Sequence, residues 1–120
     1  MKRILYVEDN IDTAKVVTII LSNAGYFVDV AYTGKDGVEK AKNNEWDLIL
    51  LDVMLPDMSG WEVYHMMKPL VQSKYAMLSA IPVSSERARE IYNGGICAYI
   101  MKPFSRNELV HKVAAVLKDN

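Results

Sequence analysis

Apolar positions along this chain switch between two rhythms. Ile4-Leu5-Tyr6-Val7 is a short apolar run of β-prone residues. Residues 11 to 24 then place Val17, Ile20, Leu21 and Ala24 at the spacing of one helix face, and Gly25 follows as a stop. Phe27 to Ala31 reads as a second strand, and Thr33 can cap a helix running to about Asn44 with Val38 and Ala41 inward. Asp47 to Leu51 is a continuous apolar run behind one charge, the pattern of a strand buried on both faces. Ser59 and Glu62 have the spacing of a capping box, opening a short helix that Pro69 ends. Tyr75 to Ser79 makes a fourth strand. Ser84 or Ser85 caps a helix that closes at Gly94-Gly95, and Cys97 to Ile100 makes a fifth strand. Ser105 and Glu108 repeat the capping box, and the last helix should bury Val110, Val113, Ala114 and Leu117.

Strand and helix therefore alternate five times. That order predicts an α/β fold, a single (βα)5 doubly wound parallel five-stranded sheet with helices on both faces, as one domain over residues 1–120. In such sheets ligands bind beyond the carboxyl ends of the strands, at a topological switch point.

Composition narrows the function. Hydrophobic residues make up 51% of the chain, enough for one core, and the formal net charge is −1. A balanced charge argues against direct nucleic-acid binding by this domain, where a basic surface is expected. The longest apolar runs are too short to span a bilayer, and no signal-peptide h-region follows Met1-Lys2-Arg3, so no membrane association is expected. A single cysteine, Cys97, allows no intrachain disulfide and suits a reducing cytoplasm. Cys97 is expected to be a small buried hydrophobe. His65 and His111 have no neighbouring ligand pattern, and the seven methionines read as core filling.

The chemistry-bearing residues sit just past strand ends. Glu8-Asp9 follow the first strand, Asp52 the third, Ser79 ends the fourth, and Lys102 follows the fifth. Taken singly, each has a plainer reading: a turn aspartate, acids favouring a helix dipole, a loop hydroxyl, a solvated lysine. Taken together they form a phosphoryl-transfer set. Three clustered carboxylates repel one another unless a hard divalent cation such as Mg²⁺ or Mn²⁺ neutralises them. A carboxylate can act as nucleophile, while a hydroxyl and an ammonium receive phosphoryl oxygens.

At this point the chain resembles the receiver domains of two-component response regulators, the CheY-like superfamily, over its whole length. The resemblance rests on Tyr6-Val7-Glu8-Asp9-Asn10, Asp52 to Gly60, Met77-Leu78-Ser79-Ala80 and Ala98 to Phe104. It implies a flavodoxin-like sheet with strand order 2-1-3-4-5. It implies that Asp52 is the phosphoacceptor, with a sensor histidine kinase or a histidine phosphotransfer protein as donor and an unidentified downstream protein as target. Asp9 and Asp52 would be side-chain ligands of Mg²⁺, Met54 would contribute its backbone carbonyl, and Glu8 would act through water. Ser79 and Lys102 would meet the phosphoryl group, and Tyr99 would be the aromatic switch. The Lys102-Pro103 peptide would be cis. Such a protein is a self-phosphorylating and self-dephosphorylating switch, not a turnover enzyme.

The chain has its own departures from the family pattern, including an abbreviated third helix ahead of Pro69 to Lys74, Ile81-Pro82-Val83 after Ala80, and Gly94-Gly95-Ile96-Cys97. Met54 and Ile81, both apolar and two places after Asp52 and Ser79, should hinder attack of water on a phosphoryl group. Ile91, Tyr92 and Tyr99 fall on or near the usual output face, made by the fourth helix, fifth strand and fifth helix. Two rivals remain. A small aspartyl phosphatase would carry an acid where Met54 stands. A flavodoxin-like nucleotide or flavin carrier would need a phosphate-binding loop where Glu8-Asp9-Asn10 stands.

Overall fold

The computed structural model describes residues 1–118. Ten elements alternate along it: β1 (Arg3–Val7), α1 (Ile11–Asn23), β2 (Phe27–Ala31), α2 (Gly34–Asn43), β3 (Leu48–Asp52), α3 (Gly60–Met67), β4 (Lys74–Ser79), α4 (Ser85–Asn93), β5 (Ile96–Met101) and α5 (Arg106–Leu117). All four strand pairings are parallel, and the sheet order is β2-β1-β3-β4-β5. The predicted class and strand order are those observed. The switch point lies between β1 and β3, whose carboxyl ends deliver Glu8, Asp9 and Asp52.

The helix starts form where short polar side chains can hold free backbone N–H groups. Asn10, Thr33, Ser59, Ser84 and Ser105 each accept from the residue three positions on. Both expected capping boxes are complete, at Ser59 with Glu62 and at Ser105 with Glu108. Gly25 and Gly95 turn the chain from α1 into β2 and from α4 into β5, each at a positive φ that a side chain would resist.

Two apolar layers cover the sheet. Ile4, Tyr6, Leu50 and Leu78 pack against Val17 and Leu21 of α1 and Leu109 and Val113 of α5. On the other face, Leu5, Val7, Ile49 and Met77 pack with Val38 of α2, Val63 and Met67 of α3 and Ile91 of α4. All five residues of β3 are buried, as its unbroken apolar run requires. Each fully buried aliphatic side chain stabilises the fold by roughly 1.5–3 kcal/mol.

Several expectations need correction. Asp47 lies just outside β3, where its carboxylate accepts the Arg3 N–H at 2.7 Å and closes the sheet's lower edge. The buried line of α5 is Leu109, Val113 and Leu117, while Val110 is half-buried and Ala114 exposed. Positions four apart on a helix share a face, and the Leu109 line is the one that meets the sheet. In α1, Ala14 joins Val17 and Leu21 in the core and Ala24 is exposed at the C-cap.

Cys97 is exposed, not buried. The β4–β5 register runs Tyr75↔Ile96 and then Ala76↔Ala98, so Cys97 is the extra residue of a bulge on an edge strand. Ile91 points into the core, and only Tyr92 of that pair is exposed.

Candidate functional site

The backbone sets each polar group at the carboxyl edge before any side chain is considered. The Glu8 N–H donates to the Ala31 carbonyl at 2.9 Å, extending β1 alongside β2. The Lys102 N–H donates to the Ser79 carbonyl at 2.8 Å, which carries the lysine back beside β4. The Lys102-Pro103 peptide is cis. Gly60 lies against the Asp52 backbone so closely that a Cβ there would run into the Asp52 carbonyl. Its N–H donates to Val53 O at 2.8 Å and folds the β3–α3 loop back under Asp52.

Strand alternation places Glu8, Asp52 and Lys102 on the same side. Glu8 is 1% and Asp52 7% exposed, so both carboxylates have been taken out of water. Lys102 Nζ bridges them, 2.8 Å from Glu8 Oε1 and 3.1 Å from Asp52 Oδ2. Burial of this kind is tolerated only with charge pairing and good hydrogen bonds. Asp9 completes the group from the solvent side. One carboxylate oxygen from each of Glu8, Asp9 and Asp52 lies within 4.8 Å of the others. Hard oxygen donors at that spacing fit a small divalent cation such as Mg²⁺ or Mn²⁺.

The carboxyl groups titrate apart. Burial, then the hydrogen bond and charge shared with Glu8, push the Asp52 carboxyl up to about 6, against the Met54 N–H that favours its ionised form. Burial also works to raise Glu8, but hydrogen bonds from Asp52, Lys102 and Tyr6 together hold it below its ordinary value. Burial works to lower Lys102, and its two carboxylate partners outweigh that and raise it.

Ser79 and Tyr99 both grip Ile81. Ser79 is 1% exposed and its Oγ accepts the Ile81 N–H at 2.9 Å. The Tyr99 hydroxyl donates to the Ile81 carbonyl at 2.7 Å, and the ring is turned inward, 6% exposed. Met54 donates its N–H to Asp52 Oδ1 at 3.1 Å and leaves its side chain 68% exposed. The residues named from sequence, Glu8, Asp9, Asp52, Met54, Ser79 and Lys102, therefore gather at one edge of the sheet, with Tyr99 behind the β4–α4 loop.

Four residues beside the site were given no role from sequence. The buried Tyr6 hydroxyl donates to Glu8 Oε1 at 2.7 Å. The period-two rule could have found it, since residues two apart on a strand share a face. Trp61 stacks on Tyr99, and the Arg87 guanidinium lies 5.3 Å from the indole. Asp57, in the loop after Asp52, accepts N–H groups from Gly34 and Lys35 at 2.8 and 3.0 Å, capping α2 from a distance. Those bonds hold its carboxyl below the usual range.

A doubly wound parallel sheet with an acidic pocket at its switch point and a lysine from the last strand defines the class of receiver modules. Residues 4–114 match the family model described as the response regulator receiver domain, and the chain belongs to that family. It is 37% identical over 118 residues to transcriptional regulatory protein HprR of Escherichia coli (strain K12), covering 98% of this chain and 52% of that protein. This chain thus spans about half the length of the curated relatives it matches. A CheY-like receiver domain from Methanospirillum hungatei superposes with a TM-score of 0.86 at 35% identity, covering 98% of this chain and 94% of that one. Response regulator TrrA of Thermotoga maritima, solved in complex with Mg²⁺ and BeF, superposes with a TM-score of 0.82 at 30% identity, covering 98% and 100%. Among the described residues no helix is long and apolar enough to cross a membrane.

Proposed function

We propose that this receiver accepts a phosphoryl group on Asp52 from the phosphohistidine of a sensor histidine kinase or phosphotransfer protein. The observation that carries the reading is Lys102 Nζ held between Glu8 and Asp52 in a pocket of three convergent carboxylates. A Asp52 carboxylate oxygen attacks phosphorus, the donor's N–P bond breaks with its electron pair going to the imidazole nitrogen, and an acyl phosphate results. A bound Mg²⁺, held by Asp9, Asp52 and the Met54 carbonyl with Glu8 through water, would neutralise phosphoryl oxygens. Lys102, on its flexible stem, moves from its carboxylate partners to a phosphoryl oxygen. The Ser79 hydroxyl donates to another and gives up the Ile81 N–H.

Releasing Ile81 loosens the loop that Tyr99 holds from the opposite side. Phosphorylation thereby shifts a pre-existing equilibrium in the face made by α4, β5 and α5, where Tyr92 is exposed and a downstream partner docks. The protein acts as a stoichiometric cytoplasmic switch, not as a turnover enzyme. Incubation with Mg²⁺ and acetyl phosphate, followed by intact mass, should show the gain of one phosphoryl group that Asp52→Asn abolishes. Repeated turnover of small phosphate esters would overturn the switch reading in favour of a phosphatase.

A further inference from the structure

Four tyrosines are buried with bonded hydroxyls, and Tyr99, like the next two, donates to a backbone carbonyl. Tyr75 donates to the Val71 carbonyl at 2.7 Å, and Tyr64 to the Gly94 carbonyl. Those bonds satisfy burial in the ordinary way, phenol to backbone. Tyr6 differs. Its ring is fully buried within the layer under α1 and α5, and its hydroxyl donates to a carboxylate of the acidic pocket.

We propose that Tyr6 is a positioning residue: its hydroxyl fixes Glu8, so that Glu8 keeps its orientation toward the metal when Lys102 leaves it for the phosphoryl group. The inference deepens the proposed function and rests on it for the roles of Glu8 and Lys102.

Glu8 is 1% exposed and depends on protein donors. Oε1 receives the Tyr6 hydroxyl at 2.7 Å and Lys102 Nζ at 2.8 Å, while Oε2 receives the Asn10 N–H at 3.2 Å. Of the two donors on Oε1, Lys102 is the mobile one, since it ends a flexible four-carbon stem. The Asn10 N–H belongs to the N-cap of α1 and holds only Oε2. Tyr6 is wedged by Leu50 and its neighbours in the core, on the same strand face as Glu8. When Lys102 departs, a buried Oε1 without Tyr6 would be left unpaired, and such groups are expensive to leave so. With Tyr6 in place, Oε1 stays satisfied and the carboxylate has no reason to turn. Phenylalanine would fill the same space, so the hydroxyl is the part of Tyr6 that bears on the pocket.

The test is a titration of the whole chain with Mg²⁺ alone, read by calorimetry, for wild type, Tyr6→Phe, Glu8→Ala and the double variant. The expected result is a dissociation constant raised about tenfold in Tyr6→Phe, the scale of losing a partner that orients a metal-site residue. The same substitution should have no further effect once Glu8 is alanine. An affinity indistinguishable from wild type, or an equal loss in the Glu8→Ala background, would overturn the proposal. If wild type itself binds no Mg²⁺, the metal reading falls and takes this inference with it. If wild type binds and Tyr6→Phe binds equally, only the role of Tyr6 falls.

Should Tyr6→Phe fail to fold, the wild-type protein carries the test. With Mg²⁺ and beryllofluoride bound, the Tyr6 hydroxyl proton should remain visible by NMR and slow to exchange. Rapid exchange in that state would mean that the bond to Glu8 breaks, contrary to the proposal.

Discussion

The rings of Trp61 and Tyr99 lie stacked, with centroids 6.5 Å apart and planes 17° from parallel. Trp61 opens α3, the helix that follows the Asp52 loop, and Tyr99 lies in β5. The indole is therefore a direct neighbour of Tyr99, carried by the helix that follows the Asp52 loop. The chain has two tryptophans, and Trp46 is occupied elsewhere, its Nε1 donating to the Lys40 carbonyl at 3.1 Å. In a Trp46→Phe background, emission from Trp61 should change on adding Mg²⁺ with beryllofluoride. Tyr99→Ala should remove most of that change while leaving Mg²⁺ binding in place, as fluorescence titration will show.

Asp52 makes the metal-free protein less stable as pH rises. Its carboxyl moves from an ordinary 3.8 to about 6 on folding, so between those values the folded state holds more protons than the unfolded chain. The contribution of Asp52 to stability then falls with rising pH through that window, and its loss is complete above it. The penalty at neutral pH is at most about 3 kcal/mol. Thermal melts in EDTA should find Asp52→Asn more stable than wild type at pH 7, with the difference vanishing toward pH 4. Added Mg²⁺ should raise the wild-type melting temperature and reverse the order.

Gly60 is required by contact, not by backbone conformation. A methyl group at this position meets the Asp52 carbonyl and the Val53 Cα. Neither is a side chain that can swing away. Gly60→Ala should lower stability by about 1–3 kcal/mol in urea denaturation. It should also weaken Mg²⁺ binding, because the strain is relieved by shifting the peptide that carries Asp52.

Met54 and Ile81 are 68% and 44% exposed, two residues past Asp52 and Ser79, the groups proposed to meet the phosphoryl. Apolar side chains there offer an incoming water no hydrogen bond and block its approach. Met54→Asn should shorten the half-life of the phosphorylated protein several-fold, measured by following the loss of the phosphoryl group by intact mass. An unchanged half-life would show that Met54 does not shield the acyl phosphate.

Much of this molecule is local in origin. Strand and helix order follow from the period of the apolar positions, and the helix starts from polar residues that satisfy backbone N–H groups three positions on. The acidic residues, Ser79 and Lys102 were legible because each stands next to a strand end, and strand ends in a parallel sheet converge on one edge. The face that α5 buries was misread because Val110, Ala114 and Leu109 are all apolar enough for the helix period alone. The sheet selected the Leu109 line.

Only tertiary structure could decide the rest. Cys97 turns outward because β5 gains a residue against β4, a mismatch between two strands that neither contains by itself. Asp57 caps α2 across 23 residues of sequence, and Trp61 finds Tyr99 across the gap between α3 and β5. The sequence by itself determined which elements form and which reactive groups stand at their ends, since backbone hydrogen bonding and side-chain period act over a few residues. Partner, distance and protonation at Glu8, Asp52 and Lys102 were decided by packing, because burial and charge coupling depend on what the folded chain brings beside them.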